Sequence, residues 1–232
     1  MTLVSVPEPE QPEGIDLRCC SVHDLLHNMP GAPTLVIADP PWSYTNDRSE
    51  LNGIAGNHYA TTSDASIVAV LRAAYLRAAP DARLALWTTW PKLGEYLDAV
   101  RAIGDLWAWE YVTGGAWTKR GGPGVGFHWL GNSEPVLIYK RGGPYIERSR
   151  PVSNAYASFR EPHSVKPAEW MTQWIERWTE PGDLVLDLYA GMAPVARACA
   201  RTGRRYVGAE LDPDRYRAAV DRLALDRWAL KP

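Results

Sequence analysis

Asp39, Pro40, Pro41 and Trp42 come directly after the apolar run Thr34–Ile37 and Ala38. This order sets a carboxylate, two stiff prolines and a large aromatic face at the end of an expected buried strand. Such a set suits a flat nucleobase that carries an exocyclic amine. The amine is a poor nucleophile because its lone pair is delocalised into the ring. A catalyst can hold the two N–H groups with fixed acceptors and favour the pyramidal geometry of attack. The Asp39 carboxylate is one candidate acceptor and the Pro40 carbonyl the other, its direction set by the locked φ of proline. Trp42 offers a face on which a base can stack. This chemistry is positioning plus electrostatic preorganisation, and it requires neither a metal nor a covalent intermediate. The bland alternative is a strand end, a Pro-Pro turn and a packing tryptophan.

A second chemical segment runs from Asp183 to Glu210. A strand is expected to end at Asp187, turn through Tyr189-Ala190-Gly191 and enter a helix. The next strand ends at Glu210, the place where a doubly wound fold grips ribose hydroxyls with an acidic side chain. Gly191 lets backbone approach a ligand closely. The segment lacks G-x-G-x-x-G, which disfavours a dinucleotide, and its single glycine without a lysine disfavours a P-loop. A nucleoside without phosphates, such as S-adenosylmethionine, fits better. The bland alternative is a generic strand, turn and helix with an exposed glutamate.

The elements that must carry these residues alternate. Strands are expected at Asp16–Val22, Thr34–Ala38, Arg83–Thr88, Trp107–Val112, Ala116–Thr118, Val136–Lys140, Leu184–Leu188 and Arg205–Ala209. Helices are expected at Asp64–Ala79 with Ser63 as N-cap, Gly94–Ile103, Pro167–Trp178, Pro194–Arg201 and Pro213–Trp228, with a helical turn through Leu25 and Leu26. Ser43–Thr62, Gly121–Gly126 and Gly142–Arg160 read as loop or irregular. The alternation predicts an α/β fold with a doubly wound, mostly parallel sheet. Residues 1–14, rich in Pro and Glu, read as a flexible tail before one domain at 15–232.

Length and composition suit one such domain, with 232 residues of which 46% are hydrophobic. No apolar run is long enough for a membrane span, and no signal-peptide pattern is present. Three cysteines do not make a disulfide framework, and no Cys/His cluster suggests zinc. A cytoplasmic setting follows as an expectation. Net charge is −2, yet residues 118–166 alone carry a net +5, leaving −7 for the rest. That asymmetry would serve a local phosphate-contacting patch, and it is equally what a solvated basic loop region carries. Trp170, Trp174 and Trp178 share one helical face, which is either core or a surface for a homodimer or partner subunit.

Taken together in order, several segments resemble one family. They are A-D-P-P-W at 38–42, H-Y-A-T-T-S at 58–63, L-A-L-W-T-T at 84–89, W-T-K at 117–119, G-F-H-W-L-G-N-S-E at 126–134, H-S-V-K-P at 163–167 and the Asp187–Glu210 region. The chain resembles the adenine N6-methyltransferases typified by the catalytic subunit of the messenger-RNA adenosine methyltransferase, with bacterial and phage DNA-modifying relatives. It also resembles the beta group of DNA amino-methyltransferases in placing the catalytic motif before the cofactor motif. The resemblance implies an S-adenosylmethionine-dependent fold with a seven-stranded sheet, in a bacterial or phage-infected cell. It implies that Asp39 and Pro40 hold the target amine, that Pro41 and Trp42 complete that loop, and that Tyr59 closes beside the base. It further implies that Lys166 pairs with the cofactor's methionine carboxylate, that His163 and Ser164 shape the same pocket, and that Asp187, Tyr189 and Gly191 form the cofactor turn. Glu210 then binds ribose, and Glu134 orders the loop near the target nucleotide or pairs at the core edge.

Three departures from the family pattern stand out. The residue after Asp187 is Leu188 where the beta group has proline, and Gly191 is followed by M-A-P where the beta group ends G-S-G-T. The adenosine-methyltransferase relatives carry Glu at the position of Asp187 and an arginine near Met192. Ser21 stands where an aspartate commonly holds the cofactor's adenine amine, leaving the Ser21 hydroxyl and the Val22 backbone to do so. The family uses Asp as the first residue of the tetrapeptide for adenine and Ser for cytosine, so Asp39 points to adenine N6. In duplex DNA the base must be flipped out of the stack. DNA is the expected substrate; the alternatives are RNA adenosine methylation, protein glutamine methylation (disfavoured by Asp39 in place of Asn) and a noncatalytic partner subunit.

Overall fold

The structure is a computed structural model and describes residues 10–42, 62–101, 109–121, 131–143, 152–159 and 165–229. Its eight strands are β1 Ile15–Cys19, β2 Leu35–Ala38, β3 Arg83–Trp87, β4 Glu110–Arg120, β5 Ser133–Lys140, β6 Ala155–Phe159, β7 Leu184–Asp187 and β8 Arg205–Glu210. Its helices are α1 Val22–Asn28, α2 Asp64–Arg77, α3 Leu93–Arg101, α4 Ala168–Trp178, α5 Pro194–Thr202 and α6 Pro213–Ala229, with a 3₁₀ turn at Trp90–Lys92. One sheet runs β1-β8-β7-β2-β3-β5-β4-β6. Among the described residues only the β3–β5 and β4–β5 pairs are antiparallel, so the expected α/β class and mostly parallel sheet hold.

The strand count is eight among the described residues, not the seven expected. The extra strand, β6, lies within the stretch read as irregular. It pairs parallel to β4 as the last strand of the sheet, and its exposed–intermediate alternation reflects an edge. Its sequence Ala-Tyr-Ala-Ser-Phe has little of the apolar continuity that marked the central strands. The two short strands expected before Lys119 are one strand, β4, with a register shift between Tyr111 and Thr113. Its two adjacent glycines, Gly114 and Gly115, depress strand propensity and split the pattern.

The central strands β2, β3 and β7 are buried on both faces. They read as continuous apolar runs because helices cover each side. One face, with Leu35, Ile37, Ala85, Trp87, Val185 and Tyr206, packs against α4, α5 and α6. Trp170 and Trp174 are buried there against Trp87, with ring centroids 5.9 and 5.5 Å away. The tryptophan face of α4 is therefore core. The opposite face, with Val36, Ala38, Leu84, Leu86, Leu186 and Val207, packs against α1 and α2. No helix among the described residues is long and apolar enough to cross a membrane. Within the expected tail, the Gln11 amide pairs both polar backbone groups of Leu17, at 2.8 Å each, tying residues 11–17 together.

Sheet register also explains one glycine. Tyr206 folds along its own strand over Gly208 to reach Asp187, which sits opposite Gly208 on β7. A Cβ at position 208 would fall on the Tyr206 hydroxyl. Gly208→Ala is expected to destabilise the protein by about 2–3 kcal/mol, through overpacking and a displaced buried hydroxyl. Urea unfolding of the variant against the parent chain measures this.

Candidate active site

The carboxyl ends of β2 and β7 lie side by side, with Ile37 opposite Asp187, and the Leu188 amide donates to the Ile37 carbonyl at 3.0 Å. Strands β7 and β8 lie to one side of β2, and β3 and β5 to the other. This is the topological switch point at which open α/β sheets bind ligands. Asp39 follows β2 there, and Glu210 ends β8 nearby.

Around Asp39 the structure builds a chain of alternating charges. The Lys166 ammonium bonds Asp39 Oδ2 at 2.6 Å and Glu134 Oε2 at 3.1 Å. The other Glu134 oxygen accepts from Lys119. Lys166 also lies 5.1 Å from the centre of the Trp87 ring. Lys119 on β4 and Glu134 on β5 are diagonal cross-strand neighbours, since Glu134 stands opposite Trp117. Lys166 comes from the segment leading into α4, 127 residues from Asp39 in sequence. Two carboxylates and two ammoniums thus neutralise one another in a partly dry site.

The environment divides the acids. Burial raises the pKa of Asp39, with the neighbouring Lys166 opposing it. Burial also works to raise that of Glu134, but Lys166 and Lys119 together pull it below the ordinary carboxylate range. Burial disfavours the charge on Lys166, yet Asp39 and Glu134 hold it protonated well above its ordinary value. Asp187 is buried with no cation partner among the interactions shifting it. Desolvation pushes it up to about 7, although the Tyr206 hydroxyl and the Tyr189 amide favour its charged form.

The residues expected to hold a cofactor are also brought together at Glu210 and Gly191. Glu210 accepts the Gly191 amide on one oxygen at 2.8 Å and the Asp212 amide on the other at 2.9 Å. A carboxylate has about four acceptor positions, so each oxygen keeps one for a ligand hydroxyl. Gly191 has φ +53, and the space where its Cβ would lie is open. Ala193, where the beta group has glycine, still takes the left-handed conformation with φ 52. That costs roughly 1 kcal/mol for a non-glycine residue, and Pro194 then starts α5 at a position suited to its fixed φ. The Tyr189 hydroxyl is buried without a hydrogen-bond partner among the described residues.

Other expected roles look different in three dimensions. The Trp42 ring is 6% exposed and packs edge-on against Tyr96, so it anchors the loop into the core rather than presenting an open stacking face. The Lys166 ammonium faces protein carboxylates, a pairing that the expected cofactor contact alone did not foresee. Ser21 caps α1, accepting from the Asp24 amide at 3.1 Å and donating to the Asp24 carboxylate at 2.6 Å, with Val22 as the first helical residue. Tyr59, His163 and Ser164 lie outside the described residues. Sequence reading missed Lys119 as Glu134's partner, and Tyr96 altogether. Only the W-T-K segment hinted at the first, and nothing in a helix of ordinary pattern marked the second.

Comparison with known proteins agrees with this architecture. A family model of N6/N4 methyltransferases, described as DNA methylase, matches residues 95–221, more than half of the chain. The chain belongs to this DNA methylase family. It is 36% identical over 100 residues to the type II methyltransferase M.XycI of Xanthomonas campestris pv. cyanopsidis, a match covering 42% of this chain and 31% of that protein. A 57-residue match at 42% identity to the type II methyltransferase M.Cfr9I of Citrobacter freundii covers 25% of this chain and 19% of that protein. The chain thus spans less than a third of each of these two curated relatives. Among solved structures, M1.HpyAVI superposes with a TM-score of 0.69 at 16% identity, over 90% of this chain and 98% of that one. It has also been solved as a complex with S-adenosylmethionine. The cytosine-N4-specific PvuII DNA methyltransferase superposes with a TM-score of 0.69 at 15% identity, over 92% and 89% of the two chains.

The buried Asp187 sets a pH dependence. Its folded pKa of about 7 lies above its ordinary value of 3.8. The folded state therefore keeps a proton that the unfolded chain releases between these values. The stabilisation is complete below the lower value and is lost as pH rises toward 7. Urea unfolding at several pH values should show parental stability falling relative to Asp187→Asn over this window. Glu134→Ala leaves two ammoniums facing one carboxylate and is expected to cost about 3 kcal/mol in the same assay.

Proposed function

We propose that the chain transfers a methyl group from S-adenosylmethionine to the N6 amine of adenine in DNA. The observation that carries the reading is the place of Asp39. It is the first residue of D-P-P-W, directly after β2, held by Lys166, and the end of β2 lies beside the end of β7, from which the chain runs into the turn at Gly191. Family membership supports amine methylation of DNA, and the identity of Asp39 favours adenine over cytosine.

The residues fit the methyl donor chemically. Glu210 has acceptor positions left for ribose hydroxyls, and the turn at Gly191 leaves space above its backbone. Lys166 has three protons, of which Asp39 and Glu134 take two. The third is assigned to the carboxylate of the donor. When bound, the donor supplies a methyl group activated on a sulfonium. Everything else is done by the chain. Asp39 accepts one N–H of the target amine and the Pro40 carbonyl the other, which turns the nitrogen lone pair toward the methyl group. Asp39 need not deprotonate the neutral amine first, because its proton becomes acidic only as the N–C bond forms. Lys166 keeps the Asp39 carboxylate oriented and favours its ionised form, while Glu134 holds Lys166 in place although its own charge opposes ionisation of Asp39.

Purified protein is incubated with labelled S-adenosylmethionine and methyl-free duplex DNA or RNA, and the products are digested to nucleosides. N6-methyladenine from DNA is the expected outcome. N4-methylcytosine would reassign the base, label in RNA alone would reassign the substrate, and no label from folded protein would leave a noncatalytic subunit. Asp39→Ala is expected to lower kcat by at least about 100-fold. Because the reaction uses the Asp39 carboxylate and burial raises its pKa, the acid limb of the pH–rate profile should lie above the ordinary aspartate range.

A further inference from the structure

Behind the D-P-P-W loop lies a second polar cluster. The Trp42 and Tyr96 rings meet edge to face, with centroids 4.6 Å apart and planes at 82°. Tyr96 is 1% exposed, and its hydroxyl donates to Asp64 Oδ1 at 2.8 Å. The other Asp64 oxygen accepts from Lys92 at 2.7 Å, and Lys92 also bonds Glu95 at 3.0 Å. Asp64 is the first residue of α2, where a helix terminus favours negative charge. Two residues earlier, Thr62 bridges to Trp42, and its amide donates to the Pro41 carbonyl at 2.9 Å.

The backbone of the tetrapeptide and the ring of its last residue are therefore both held by the short segment Thr62–Asp64. The backbone is held directly, and the ring through Tyr96. A phenylalanine would fill the same core space. What the hydroxyl adds is a charge-assisted hydrogen bond that fixes the Tyr96 ring relative to α2. Reaction at Asp39 and Pro40 depends on sub-ångström placement of two acceptors, and such placement is sensitive to supports remote from the chemistry.

We infer that Tyr96 is a positioning residue for the methyl-accepting site: its hydroxyl, held by Asp64, fixes the ring against which Trp42 seats the Asp39–Pro40 loop. The inference rests on the proposed role of that loop. The test uses the full chain with Tyr96→Phe, Asp64→Ala, Asp64→Asn and the double variant Tyr96→Phe/Asp64→Ala. Methyl transfer to DNA, calorimetric binding of S-adenosylhomocysteine and amide exchange at Thr62 are measured for each. Tyr96→Phe and Asp64→Ala should each lower kcat about tenfold, with KM for DNA and cofactor affinity within about twofold. The double variant should be no worse than Asp64→Ala, since Tyr96→Phe removes only the Tyr96–Asp64 bond that Asp64→Ala already lacks. Asp64→Asn, which turns its oxygen to Lys92 and can still bond the Tyr96 hydroxyl through its amide N–H, should stay within about threefold of the parent chain. Exchange at Thr62 should quicken about tenfold in Tyr96→Phe and Asp64→Ala but not in Asp64→Asn. Parental kcat and unchanged exchange in Tyr96→Phe, or additive losses in the double variant, overturn the inference. If the parent chain transfers no methyl group at all, the proposed function fails, and Thr62 exchange alone decides the role of Tyr96.

Discussion

The ion pair between Lys166 and Asp39 is the contact on which the rest of the site depends. An isolated carboxylate at the end of a buried strand would take up a proton and lose its value as an acceptor. Lys166 opposes this, but a single buried ammonium on one carboxylate would leave the lysine's remaining protons without acceptors. Glu134 takes a second, and Lys119 balances Glu134 in turn. The result is a neutral row of four groups drawn from β2, β4, β5 and the entry to α4. Each member is favourable only while its neighbours are in place, so the row ties the middle of the sheet to its far side.

The two apolar faces of the sheet explain how such a row can be held. On one side, Trp87 sits beneath Lys166 and packs against the tryptophans of α4, so the helix that follows Lys166 is locked to the strand beside Asp39. On the other, Trp42 and Tyr96 seat the loop that carries Asp39. Large aromatic side chains suit this purpose because each couples extensive apolar burial to a defined ring geometry. The indole N–H groups of Trp117 and Trp170 also find acceptors, in Ser158 and the Ser153 carbonyl, which fastens the edge strand to the same core.

At the turn after β7, departures from the family pattern leave the backbone conformation intact. Ala193 takes a left-handed conformation that glycine would adopt more cheaply, because Pro194 and the packing around a fully buried Ala193 hold it there. Glu210 supports that turn through the Gly191 amide, so one carboxylate both shapes the turn and keeps acceptor capacity for a ligand. The Asp187 charge is handled differently. It has a tyrosine hydroxyl that reaches it only because position 208 lacks a side chain. Replacement of the usual aspartate by Ser21 is absorbed locally, as the hydroxyl becomes a helix cap.

Much of this was legible in the amino-acid sequence. Short continuous apolar runs marked β2, β3 and β7, because strands covered on both faces need apolar side chains at every position. The ends of β2, β7 and β8 marked Asp39, Asp187 and Glu210, because a charged residue closing such a run must lie at the rim of the sheet. The ordered motifs marked the DNA methylase family. The edge strand β6 was not legible, since one half-exposed strand of small and polar residues carries no such run. Nor were the partner of Lys166, the burial of Trp42 or the bond between Tyr96 and Asp64. Local pattern determines which residues enter a strand and where it stops, through backbone preference and burial. The order in which strands pair decides which distant charges and rings meet, and that order is set by contacts between segments more than a hundred residues apart.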